Sequence, residues 1–254
     1  QMLYFRDVTS EIEVESLKNE FLTTAAHELR TPMVSIYGFA ELLLNRDLDE
    51  DSRQNGLEIM FMQSKVMVSI LNDLLDLARI DQRRGRNFAF EPIDVMSLVH
   101  STAADFPLPA GRAAPRLLPP TSPCCVLVDP RQTHQALSNV LANAYKYSPT
   151  GGDVEISIRT CAGTADAPLM GICVTDQGIG MEPEQSRRVF ERFYRADTSG
   201  KALGTGLGMS IVHEIVTLHG GHVELNSQPG QGTSVTLWLP AANLNPIHHL
   251  WDTP

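Results

Sequence analysis

Residues 22–32, Leu22-Thr23-Thr24-Ala25-Ala26-His27-Glu28-Leu29-Arg30-Thr31-Pro32, decide how the chain is read. Wound as an α-helix at about 100° per residue, Leu22, Ala25 and Leu29 line up with Ile36, Phe39 and Leu43 on one seam, with the three- and four-residue spacing of a bundle. His27 falls opposite that seam, in water. Thr31 lies about 40° from His27 on the same outer face, and Glu28 flanks the two at about 100° from the histidine. A nucleophile, a base and a hydroxyl are therefore presented together. A lone exposed histidine would mean little; these neighbours at helical spacing give it a chemistry.

The helix runs to about Asn45, with Thr9 or Ser10 able to cap it and Glu11, Glu13 and Glu15 at the positive end of its dipole. Pro32 deletes one backbone hydrogen bond, so a kink or loosening is expected just after His27. A polar connection over 45–51 leads to a second seam of Leu57, Phe61, Ser64, Val68, Leu71, Leu75 and Ala78. Two helices with one apolar stripe each cannot bury themselves adequately, so pairing with a second copy is expected, giving a dimeric four-helix bundle. The hairpin is placed at 10–84. Residues 1–9 alternate and are rich in aromatics, which predicts a short strand or linker before the helix.

With 254 residues and 43% apolar content the chain can bury more than one core. A formal net charge of -10 argues against a nucleic-acid partner and against attraction to an anionic membrane. No apolar run approaches a membrane span, and the start is neither a signal peptide nor a natural initiator, so a cytoplasmic fragment of something longer is expected, one whose missing part can hold a membrane anchor. Cys124, Cys125, Cys161 and Cys173 lack metal-ligand spacing and are expected to be reduced.

After a charged linker the period changes to two. Residues 88–93 predict a strand, 95–104 a helix, and 125–128 a strand running into Asp129-Pro130, a helix cap followed by a first-turn proline. Six prolines within 106–123 forbid a regular helix there and leave at most a short strand at Leu117-Leu118. Beyond lie a helix at 131–147, strands at 153–160 and 169–176, a short helix, a helix at 207–219, and strands at 221–227 and 233–239. This order predicts helices on a mixed sheet, an α+β sandwich over 85–240, with 241–254 as a tail.

Three stretches of this second domain carry chemistry. Asn139, Asn143 and Lys146 fall within about 60° of one another on the 131–147 helix, offering two amide oxygens and an ammonium. A triphosphate with Mg²⁺ needs that set, hard oxygen ligands for the metal and a cation for phosphate charge. Asp176, at a strand end before Gly178 and Gly180, can accept from an exocyclic amine and so favours adenine. Gly204-Thr205-Gly206-Leu207-Gly208 opens a helix whose unpaired N–H groups bind anions. A dinucleotide site would need an apolar strand directly before those glycines, and 195–202 is polar.

Taken in order, these strings resemble the H-box, N-box, G1, F-box and G2 boxes of sensor histidine kinases, the transmitters of two-component systems. The resemblance covers nearly the whole chain. It implies a phosphoacceptor hairpin followed by an ATPase domain of the Bergerat type shared with gyrase and MutL. His27 would be the phosphoacceptor, Glu28 the general base and Thr31 the residue orienting water in a phosphatase reaction. ATP would be held by Asn139, Asn143, Lys146, Tyr147, Asp176, Gly178, Gly180, Arg195, Gly204, Thr205, Gly206, Leu207 and Gly208, with Asn143 and Asn139 on Mg²⁺. The implied partners are a second copy, a response-regulator receiver domain in trans and a sensor domain in cis. An ATP-gated clamp of the gyrase or MutL kind activates water with a glutamate one turn before the metal asparagine, and Asn139 at that position cannot act as a base. A serine kinase on the same ATP fold would give an acid-stable phosphate, and a module that only binds partners would lack one of the boxes.

Overall fold

The computed structural model describes residues 9–83, 88–120, 124–149, 151–161, 168–196 and 205–242, the side chains of 9–20, 81–83 and Cys161 excepted. The chain divides into two compact units, the first running to Leu75 and also taking in Thr205, the second comprising the rest from Asp76 onward.

The first unit is a helical hairpin of α1 (Thr9–Asn45) and α2 (Glu50–Arg83), which continues into the second unit. The residues expected to form a strand at 1–9 lie outside the described part except Thr9, which is helical. Helix α1 continues through Pro32, which is buried. Asp49 starts α2, its carboxylate accepting from the Ser52 backbone N–H at 2.7 Å and from the Ser52 hydroxyl at 3.1 Å. Those bonds hold the Asp49 carboxyl below the usual range. Of the expected α1 seam Ala25 is buried and Leu29, Ile36, Phe39 and Leu43 are half-buried, but Leu22 is exposed.

Helix α2 departs from expectation. Its side toward α1 carries Gly56, whose missing Cβ would lie 3.5 Å from Phe39 and 3.7 Å from Leu43, and Ile70, which is buried. The predicted seam of Leu57, Phe61, Val68, Leu71 and Leu75 is instead between 46% and 60% exposed. So α2 bears two apolar stripes rather than one. The regular repeat marks the outward stripe, and the inward one is broken by Gly56 and Gln63.

The second unit is a sandwich. Its elements are β1 (Glu91–Asp94), α3 (Val95–Asp105), β2 (Arg116–Leu118), β3 (Cys125–Val128), α4 (Pro130–Lys146), β4 (Glu155–Cys161), β5 (Leu169–Thr175), α5 (Pro183–Arg188), α6 (Gly208–Leu218), β6 (His222–Gln228) and β7 (Gly232–Ala242). The sheet order is β1-β3-β7-β5-β4-β2, with β6 also paired to β7. Among the described residues only β2 and β4 pair in parallel. Alternate residues Ile156, Ile172, Val174, Val235, Leu237 and Leu239 are buried, as are Leu137, Val140 and Leu141 on α4 and Ile211, Val212 and Ile215 on α6. These side chains form the core.

Two local expectations shift, and a third, the short strand at Leu117-Leu118, is met. Residues 88–90 are not strand; Phe88 and Phe90 pack their rings on His219 at 4.9 and 5.2 Å, and pairing starts at Glu91. The proline-rich segment forms β2 on the sheet edge, bounded by Pro115 and Pro119, where a missing N–H is tolerated. Strand β7 continues past Pro240, since Ala241 N–H donates to the Pro168 carbonyl at 2.9 Å and Ala241 and Ala242 pair with Val126 and Cys125. Residues 243–254 lie outside the described part.

Candidate functional site

On the first unit, His27 and Thr31 are exposed on α1 and Glu28 is half-buried beside them. The Thr31 hydroxyl donates to the His27 carbonyl across one turn at 3.4 Å, a long bond that readily gives way to another partner. Among the described residues no hydrogen bond or ion pair engages the imidazole.

On the second unit, Asp129 builds the helix that carries the two asparagines. Its Oδ1 accepts from the Arg131 and Gln132 N–H groups at 3.0 and 3.1 Å, with Pro130 at the first helical position. Helix α4 buries Thr133, Ala136, Leu137, Val140, Leu141 and Ala144. That leaves Asn139, Asn143 and Lys146 half-buried along one side. Asn139 Nδ2 donates to the Gly208 carbonyl at 3.4 Å, which ties it to the start of α6 and frees its Oδ1 for a metal or its waters. The Lys146 ammonium stands 4.8 Å from the centre of the Tyr147 ring.

Asp176 follows the end of β5 and is 8% exposed. Its Oδ1 accepts from the Gly178 N–H at 2.8 Å and the Thr233 N–H at 3.2 Å. Burial pushes the carboxyl up, against the pull of those N–H groups and of Ser148. Gly178 has no room for a side chain, since a Cβ would come within 2.2 Å of the Tyr147 carbonyl. Gly180, with φ +66°, would meet the Gln228 carbonyl at 1.9 Å. The space these two glycines open is thus taken by the protein's own backbone. Ile179 N–H donates to the Tyr147 carbonyl at 3.0 Å, so the end of α4 and the 176–180 turn are bonded directly.

The other predicted residues are spread along the approach to α6. Leu207 and Thr205 are buried, and Arg195 is half-buried. Gly206 has φ +72° and backs onto Phe193, itself at φ 63°. Gly204 lies outside the described residues. Sequence reasoning passed over Thr233, which holds Asp176 through a backbone N–H, and a main-chain donor leaves no signal in side-chain identity. Among the described residues no group of three or more His, Cys, Asp or Glu could hold a metal, so a metal here would rest on amide oxygens and phosphate.

Residues 17–83 match the His Kinase A (phospho-acceptor) domain, and residues 128–243 match the histidine kinase-, DNA gyrase B- and HSP90-like ATPase. The chain belongs to the sensor histidine kinases. This histidine kinase is 36% identical over 250 residues to the phosphate regulon sensor protein PhoR of Pseudomonas aeruginosa, covering 96% of the chain and 54% of PhoR. It is 33% identical over 243 residues to the sensor-like histidine kinase SenX3 of Mycolicibacterium smegmatis, covering 94% of the chain and 62% of SenX3. The chain therefore spans less than two thirds of these curated relatives. Its fold superposes on the Acinetobacter baumannii histidine kinase AdeS with a TM-score of 0.64 at 24% identity, over 85% of this chain and 98% of that one.

Proposed function

We propose that this histidine kinase transfers the γ-phosphoryl group of ATP to His27 and then to an aspartate of a separate response regulator. The observation that carries the reading is the free, outward imidazole of His27 beside Glu28, on a chain whose other unit has the ATPase fold. In this reading 10–84 is the dimerisation and phosphoacceptor hairpin and 85–240 the ATP-binding domain, with a second copy and a receiver domain as partners and a sensor in the remainder of the full-length protein. Among the described residues no helix is long and apolar enough to cross a membrane.

Asp176 would accept from the adenine amine with the oxygen left over from its two backbone bonds. Asn139 and Asn143 would hold Mg²⁺, which supplies offset for phosphate charge. Lys146 and Tyr147 would contact the nucleotide, Arg195 and the 204–208 segment its phosphates. Glu28 would take the Nδ1 proton of His27 so that Nε2 can attack phosphorus in line. The Thr31 hydroxyl would orient water against a phospho-aspartate, giving a second, phosphatase activity.

The test is incubation with labelled ATP and Mg²⁺. Label that is lost in acid and kept in base, and absent from His27→Gln, is the expected result; label persisting in that variant would refute the assignment. Thr31→Ala should label normally yet slow regulator dephosphorylation about tenfold or more, in line with removal of one positioned catalytic group.

A further inference from the structure

The loop between α3 and β2 crosses the C-terminal end of α4, and there one cation fastens two stretches of backbone. The Arg112 guanidinium donates from Nη1 to the Ser148 carbonyl at 2.6 Å and from Nη2 to the Gly152 carbonyl at 3.0 Å. It also lies 5.1 Å from the centre of the Tyr145 ring, which stacks on Phe106 at 5.4 Å. The Tyr145 hydroxyl donates to the Ala113 carbonyl at 2.8 Å, so the loop holding Arg112 is itself anchored to α4. The Ser148 carbonyl also accepts from the Gly151 N–H at 3.1 Å, so the turn that follows α4 closes on itself, and the planar fork of Arg112 bonds two of its carbonyls at fixed spacing.

The backbone so fastened abuts the candidate nucleotide residues. Lys146 and Tyr147 directly precede Ser148. The Tyr147 carbonyl is bonded to Ile179 N–H and pressed against Gly178, and a Cβ on Gly152 would come within 3.0 Å of Gln177. Moving Ser148 and Gly152 would therefore move Lys146 and Tyr147 relative to the turn that holds Asp176.

We propose that Arg112 is a positioning residue of the nucleotide site, fixing the end of α4 against the 176–180 turn so that Lys146, Tyr147 and Asp176 keep the spacing ATP requires. The inference rests on the nucleotide reading given above. It is tested on the full chain by titrating trinitrophenyl-ATP with Mg²⁺ and measuring KM and kcat for ATP in autophosphorylation. Arg112→Ala should raise the analogue Kd and the ATP KM about tenfold, the scale of losing charge-assisted hydrogen bonds, with kcat within about twofold. Arg112→Lys should recover only part of the affinity, because one ammonium cannot reproduce the fork. Tyr145→Phe, which removes the bond to Ala113 but keeps the ring under Arg112, should raise the analogue Kd less than Arg112→Ala does. Wild-type Kd and KM in Arg112→Ala would overturn the proposal, as would a fall in kcat with KM unaltered. If Arg112→Ala does not fold, wild-type affinity in Arg112→Lys overturns it equally. A wild-type chain that does not bind the analogue would instead refute the nucleotide reading itself.

Discussion

A carboxylate as buried as Asp176 is expensive to keep, and its cost indicates its use. Burial pushes its carboxyl up, so the folded chain takes a proton before the unfolded chain does. The stabilising contribution is therefore full below the unfolded Asp value of about 3.9 and is lost as pH rises through the folded value, which makes Asp176 a liability at neutral pH. Asp176→Asn keeps an oxygen for the Gly178 and Thr233 N–H groups but replaces the second acceptor with a donor. We expect a melting temperature at pH 7 equal to or above that of the parent, with the ATP Kd raised about tenfold or more, by calorimetry and nucleotide titration. Reduced stability together with unchanged ATP affinity would mean that the residue serves the fold alone.

At the scale of elements, His219 joins three segments of the second unit. Its Nε2 accepts from the Asp129 N–H at 2.9 Å at the start of α4, its Nδ1 donates to the Ile215 carbonyl at 2.7 Å on α6, and its ring meets Phe88 and Phe90. Asp129 Oδ2 in turn accepts from the Ala89 N–H at 2.9 Å. An imidazolium would present an N–H to the Asp129 N–H, so the pair tolerates only the neutral ring. Burial holds the His219 pKa below the ordinary value of about 6.5, although the adjacent Asp129 carboxylate pulls it back up. Because the folded value is the lower one, this stability is present above the unfolded pKa and lost as pH falls from there toward the folded value. Melting temperature should drop between pH 7 and 5.5 in the parent and drop less in His219→Gln, whose amide can both donate and accept; parallel slopes would refute the role.

Legibility in the sequence follows the same division. The helix at 131–147 was readable because its cap, its first-turn proline and its apolar positions agree, and α4 spans Pro130–Lys146. His219 was not, because it reads as the residue before a glycine turn while its partners lie far off at 88–90 and 129. Arg112 was hidden for a related reason: it bonds carbonyls, which every residue carries, from within a proline-rich loop that has no period. Candidate side chains could thus be proposed from spacing, whereas the backbone bonds around them could not.

At the scale of the whole molecule the outward stripe of α2 decides whether this chain acts alone. Leu57, Phe61, Val68, Leu71 and Leu75 lie on one face at intervals of three, four and seven, and each is at least 46% exposed in the single chain. On α1, Met33, Tyr37 and Leu44 are exposed as well. A two-fold axis along such a hairpin would bring each stripe onto its own copy, which is how a self-complementary interface forms and how a four-helix bundle gains the core that two helices lack. The test is to put a charge at the centre of that contact. Val68→Asp would bury one carboxylate from each copy in that apolar contact, at a cost of about 3 kcal/mol or more, equivalent to about a 100-fold weaker dimer. Ser69→Asp adds the same charge at an exposed position off the stripe and should leave association unchanged. Sedimentation equilibrium over a range of concentrations separates the outcomes: a dimer that survives Val68→Asp, or is lost equally in Ser69→Asp, would mean that the stripe is not what joins the two copies.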